Sequence, residues 1–136
     1  MSDLDLDIMS EQNTVLVVED NDFVRKQIVT YLIGEGYATL EAAEGDEALE
    51  KMAQNDNIAL AIVDVRMEPV DGFEFIMTIR GQDIMTPVIL VTGDQTSDLL
   101  ERANSCGISA VLMKPVEKDR LIKTVFRTIQ TSQKRS

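Results

Sequence analysis

Histidine is missing from all 136 residues, so the chain has no imidazole base, no histidine metal ligand and no phosphohistidine of its own. A single cysteine, Cys106, excludes an internal disulfide and a cysteine-rich metal site, and reads as a small buried thiol at a helix end. Bases are scarce, 13 against 24 acids, for a formal charge of −11. Phosphate backbones and anionic lipid need clustered Lys and Arg, so direct nucleic-acid and membrane binding are not expected. No apolar run approaches the roughly 18 residues that cross a membrane, and the N-terminus lacks a basic stretch followed by an apolar one. The default expectation is a cytoplasmic protein whose chemistry runs on carboxylates, hydroxyls and amines.

What is present suits one globular domain, with 44% hydrophobic and 27% charged residues. Residues 1–13 read as an acidic flexible tail. Asp3, Asp5 and Asp7 alternate with Leu4, Leu6 and Ile8, but Ile8 and Thr14 stand where a calcium loop needs Gly and Glu. A loose tail is favoured over a short docking strand. From residue 14 to 131, strand and helix alternate five times, and residues 132–136 form a short basic tail.

Four short apolar runs, 15–18, 58–63, 88–91 and 110–113, read as buried parallel strands. Residues 37–42 are less apolar and read as an edge strand. Helices are predicted at about 22–33, ended by Gly34 and Gly36, and at about 46–54, with Glu47 and Lys51 spaced for an i,i+4 pair. Three more are predicted at about 73–80, 96–105 and 118–131. Their inward stripes are Val24, Ile28 and Leu32 in the first, Phe75, Ile76 and Ile79 in the third, and Leu121, Val125 and Ile129 in the fifth. Consecutive right-handed βα units give an α/β doubly wound sheet. The flavodoxin-like order 2-1-3-4-5 fits, an order borrowed from flavodoxin and the chemotaxis receiver protein.

The ligand crevice of such a sheet lies outside the carboxyl ends of its strands. Those ends carry Glu19 and Asp20, Asp64, Thr92 and Lys114. Carboxylates about 4 Å apart repel by about 4 kcal/mol per pair at an effective dielectric near 20. A hard divalent cation such as Mg²⁺ offsets that charge, whereas zinc and copper would want His or Cys. Lys114 and Thr92 add a cation and a hydroxyl donor suited to phosphoryl oxygens. A carboxylate can itself be the nucleophile, and Asp64, alone at the end of the central strand, is the best placed acceptor.

Singly, these motifs are weak, but their order and spacing resemble the receiver domain of two-component response regulators over about residues 14–130. The resemblance rests on Val17-Val18-Glu19-Asp20-Asn21-Asp22, Val63-Asp64-Val65-Arg66-Met67, Asp71-Gly72-Phe73, Val91-Thr92-Gly93 and Met113-Lys114-Pro115. The turns Gly34-Glu35-Gly36-Tyr37 and Ala43-Glu44-Gly45-Asp46-Glu47-Ala48-Leu49 are similar as well. It implies that Asp64 takes a phosphoryl group from a partner histidine kinase or phosphotransfer protein. It further implies that Glu19, Asp20, Asp64 and the Arg66 backbone carbonyl hold Mg²⁺, and that Thr92 and Lys114 sense the phosphoryl group. The Lys114–Pro115 bond is expected cis, and the domain is expected to be a switch rather than an enzyme. A downstream protein would read the helix 4–strand 5–helix 5 face, with the chain a monomer or weak dimer.

Departures matter too. Val111 stands where the family usually has Tyr or Phe, so an aromatic switch is not expected. Glu68 stands where Pro is common and reads as a solvated loop acid. Arg66 and Asp94, each two residues past a site residue, are expected to pair over the phosphoryl group and slow its hydrolysis. Other readings stay open: a relay or phosphate sink, or a module of a larger kinase or regulator. A haloacid-dehalogenase-like phosphohydrolase fits less well, because Arg66 occupies the place of its second Asp. A dinucleotide-binding module is poorer still, since Gly34 and Gly36 follow a helix.

Overall fold

A computed structural model describes residues 13–67, 70–93 and 97–134. The expected acidic tail, apart from Asn13, lies outside those residues, as do Glu68 and Asp94. Strands β1 (Thr14–Val18), β2 (Ala38–Ala42), β3 (Ile58–Asp64), β4 (Val88–Thr92) and β5 (Ala110–Met113) alternate with five helices. These are α1 (Asp22–Gly34), α2 (Gly45–Gln54), α3 (Gly72–Gly81), α4 (Ser97–Ser105) and α5 (Lys118–Lys134). All four strand pairings are parallel, as the alternation implied, and the sheet order is β2-β1-β3-β4-β5, the order borrowed from the flavodoxin-like fold.

Helices cover both faces of the sheet. Alternate residues of each central strand point to opposite sides, so β1 sends Leu16 and Val18 to one core and Val15 and Val17 to the other. The first core meets α2, α3 and α4, including Met52, Phe73, Phe75, Ile79 and Leu99. The second meets α1 and α5 through Ile28, Leu32, Leu121, Val125 and Ile129, the stripes expected from periodicity. Burial on both faces is why β1, β3 and β4 read as continuous apolar runs. Among the described residues β2 pairs only with β1, and it stays half-exposed.

Several boundaries move, each for a physical reason. α1 continues through Gly34, and Gly36 takes the left-handed turn with φ +91°. β3 and β4 run one residue further, so Asp64 and Thr92 are themselves the last paired residues. The expected Glu47–Lys51 pair does not form. Glu47 Oε1 instead accepts from Ala43 N at 3.2 Å, satisfying a donor ahead of α2. α5 runs on to Lys134, so the expected basic tail is helical up to that residue. Cys106 is half-buried against the first core rather than enclosed. Among the described residues no helix is long and apolar enough to cross a membrane.

Candidate functional site

Glu19, Asp64 and Thr92 are the buried polar side chains among the described residues, and all three sit at the carboxyl ends of adjacent strands. Burying a polar group is costly without a partner, so three in one place mark a site. Glu19, Asp20 and Asp64 each offer a carboxylate oxygen within 4.8 Å of the others, with Asp20 on the exposed side. Two unit charges at that distance repel by about 3 kcal/mol at an effective dielectric near 20.

Lys114 is the counter-charge. Its Nζ lies 2.7 Å from Glu19 Oε1 and 3.4 Å from Asp64 Oδ1. That ion pair is what compensates Glu19 Oε1, which is fully buried. Burial alone would lower the Lys114 pKa, but the two carboxylates outweigh it and hold the ammonium above its ordinary value of 10.5. Asp20 shows the residual strain among the acids. Desolvation, followed by the hydrogen bond and the charge of Glu19, pushes its carboxyl up from 3.8.

The backbone fixes these groups in place. Glu19 N donates to Ala42 O at 3.0 Å, and Asn21 N donates to Glu19 Oε2 at 3.1 Å. Asn21 Oδ1 in turn accepts from Val24 N, capping α1. Val65 N donates to Val91 O and Lys114 N donates to Thr92 O at 2.9 Å, tying β3, β4 and β5 together at their ends. The Arg66 side chain is exposed, and its amide nitrogen lies 3.4 Å from Asp64 Oδ1. Val111 is half-buried opposite Leu90, and the Lys114–Pro115 bond is cis with Pro115 exposed.

Two supports escaped the sequence reading. Arg25 NH1 donates to Glu19 O at 2.7 Å while its other nitrogens bind Asp22 and Glu41, clamping the acidic loop to β2. The i,i+3 spacing of Asp22 and Arg25 was the available signal. Gly72 is the second: a Cβ there would lie 2.5 Å from Asp64 O, so α3 can begin against the end of β3 only with glycine. The Asp71-Gly72 motif was visible but not its cause.

A response regulator receiver domain profile matches residues 15–126. The chain belongs to the response regulator receiver domain family. This receiver domain is 35% identical to the transcriptional regulatory protein PdtaR of Mycobacterium tuberculosis over 112 residues, 82% of this chain and 54% of PdtaR. It is 31% identical to the Vibrio cholerae CAI-1 autoinducer sensor kinase/phosphatase CqsS, over 84% of this chain and 17% of CqsS. The receiver domain thus spans about half of the first relative and less than a fifth of the second. Among solved structures, Vibrio cholerae chemotaxis protein CheY4 superposes with a TM-score of 0.81 at 30% identity, over 86% of this chain and 98% of that one. Membership makes this a domain of two-component signalling and of a phospho-switch family rather than a conventional enzyme.

Proposed function

We propose that Asp64 is the phosphoryl acceptor and that its modification switches the face formed by α4, β5 and α5 for a downstream protein. The observation that carries this reading is the buried trio Glu19, Asp64 and Thr92 at three strand ends, with Lys114 between the two carboxylates. A partner histidine kinase or phosphotransfer protein would supply the phosphoryl group, since the chain has no histidine. A cytoplasmic setting belongs to the same proposal.

The donor set fits Mg²⁺: hard carboxylate oxygens gathered within 4.8 Å of one another, more negative charge than the Lys114 ammonium alone offsets. Glu19, Asp20, Asp64 and the Arg66 carbonyl would hold the ion, which when bound neutralises charge developing on the phosphoryl oxygens. An Asp64 oxygen then attacks phosphorus in line as the donor nitrogen leaves. Lys114 meets one phosphoryl oxygen, and the Thr92 hydroxyl donates to another. Half-buried Val111 replaces the usual ring, so the switch works through β4 and β5 backbone shifts.

A relay role is the second reading, supported by the likeness to the sensor kinase/phosphatase CqsS. Transfer from phosphorylated Asp64 to a partner histidine would establish it. The deciding experiment is incubation with a small phosphodonor and Mg²⁺, read by intact mass. One added phosphoryl group is expected in the wild type and none in Asp64→Asn. Equal modification of both, or of neither, overturns the assignment.

A further inference from the structure

Glu19 and Asp20 are consecutive, so three peptide planes set where their carboxylates go, and each plane has its own anchor. The plane entering Glu19 is held by Glu19 N, which donates to Ala42 O at 3.0 Å. The plane leaving Asp20 is held by Asn21 N, which donates to Glu19 Oε2 at 3.1 Å. The middle plane joins the two acids, and a side chain holds it: Arg25 NH1 donates to Glu19 O at 2.7 Å. A peptide unit is rigid and planar, so fixing its carbonyl constrains the chain at both ends.

Arg25 is itself aimed. It lies in the first turn of α1 with its side chain only 11% exposed. Nε donates to Glu41 Oε1 at 3.1 Å, and NH2 donates to Asp22 Oδ1 at 2.6 Å. Asp22 is exposed, so water screens that contact. Glu41 is the stronger guide. Leu40 and Ala42 turn to the first core, which turns Glu41 to the opposite face of β2, toward α1. There Lys26 Nζ donates to Glu41 Oε2 at 3.1 Å and steadies the carboxylate. With one edge of the planar guanidinium fixed by Glu41, the fork directs NH1 at the Glu19 carbonyl.

The charge of Arg25 has the wrong sign to help a cation bind. A guanidinium at Glu19 O repels an incoming divalent ion, so by its field alone the loss of Arg25 would tighten binding. Geometry predicts the opposite. Metal ligands depend on the groups that orient them, and losing one such group weakens affinity by about 10–100-fold.

We infer that Arg25, aimed by Glu41, is a positioning residue for the divalent cation: it presets Glu19 and Asp20 by pinning the peptide plane between them. This rests on the reading that Glu19, Asp20 and Asp64 hold Mg²⁺. The edge strand β2 thereby supports the site, although it contributes none of the three carboxylates.

The test is calorimetric titration of the full chain with Mg²⁺, at a temperature where thermal unfolding in EDTA shows each variant fully folded. Arg25→Met keeps a long buried stem and removes the fork, and it is expected to bind Mg²⁺ about tenfold more weakly than the wild type. Arg25→Lys keeps the charge without the fork and should recover only part of that loss. Glu41→Ala should weaken binding about threefold. Combined with Arg25→Met it should add nothing further, because Glu41 acts through Arg25. Equal or tighter binding in Arg25→Met overturns the inference, since the field alone would then account for it. Additive losses in the double variant overturn the part given to Glu41. If Arg25→Met fails to fold, Arg25→Lys decides, and wild-type affinity there overturns the need for a fork. A wild type that binds no Mg²⁺ refutes instead the reading of the acidic trio.

Discussion

Replacing Gly72 with alanine tests whether the start of α3 sets the position of Asp64, the proposed acceptor. The new Cβ would lie 2.5 Å from Asp64 O and 3.1 Å from the Val65 Cα, whereas ordinary contact begins near 3.4 Å. Relief therefore needs a displacement of about 0.9 Å between α3 and the end of β3, the difference between those two distances. Neither side yields readily. Asp64 is paired to β4, Val65 N is bonded to Val91 O, and Gly72 N donates to Val65 O at 3.0 Å. Overpacking of this kind costs about 1–3 kcal/mol, or roughly 3–12 °C in Tm for a chain of this size.

The functional effect should exceed the stability effect, since misplacing a reacting group by about 1 Å can cost about a hundredfold in rate. The assay is phosphorylation of Asp64 by a small phosphodonor, followed by intact mass, alongside thermal unfolding. Gly81→Ala in the same helix is the control. A Cβ there meets nothing within 4 Å, so that variant should match or slightly exceed wild-type stability. If Gly72→Ala keeps both the wild-type Tm and the wild-type rate, the proposed link between α3 and acceptor geometry is wrong.

Asp20→Asn should raise Tm without divalent ions and remove most of the stabilisation that Mg²⁺ gives. The Asp20 pKa is raised in the fold, so its ionised form opposes folding. That cost is absent below pH 3.8 and grows as pH rises through the folded value, and a pH–Tm series should flatten in the variant. Lys114→Ala leaves Glu19 and Asp64 without their counter-charge and should cost about 2 kcal/mol at neutral pH, with Mg²⁺ recovering part of the loss in a denaturant titration. Because the Lys114 pKa is raised, its contribution is complete below pH 10.5 and fades as pH climbs through the folded value. Val111→Tyr should weaken capture of the downstream partner while phosphorylation of Asp64 proceeds at the wild-type rate; no change in capture counts against a ring-free switch. Arg66→Ala should shorten the phosphoryl half-life, and an unchanged half-life removes its role as a shield.

The alternation of strands and helices was legible because β1, β3 and β4 are buried on both faces and so carry uninterrupted apolar runs. Their order was not legible, because hydrophobic periodicity does not encode which strand neighbours which. The acids at the strand ends were equally visible, and Asp64 and Thr92 prove to be the last residues of their ladders. What stayed hidden depends on distant partners. Arg25 reaches Glu41, whose place is set by the β1–β2 register. Gly72 is required by a backbone contact with Asp64 that no local pattern announces. The expected Glu47–Lys51 pair failed because helix spacing permits a contact without deciding among competitors, and a nearby backbone donor was the better one.

The site and the sheet edge are mechanically close. Thr92 is the last residue of β4, and its carbonyl accepts from Lys114 N at 2.9 Å. A Thr92 shift toward a phosphoryl group therefore pulls directly on the end of β5, one residue from Met113 and three from Val111. Among the described strands only β4 pairs with β5, and the ladder that turns Ala110 and Leu112 inward leaves the backbone groups of Met113 and Val111 on the outer edge. A side chain that flips between buried and exposed states is one way to carry a signal from such a site, and Val111 is too short for it. A strand whose register with β4 changes slightly is another, and here it needs only the hydrogen bond already joining the two ends.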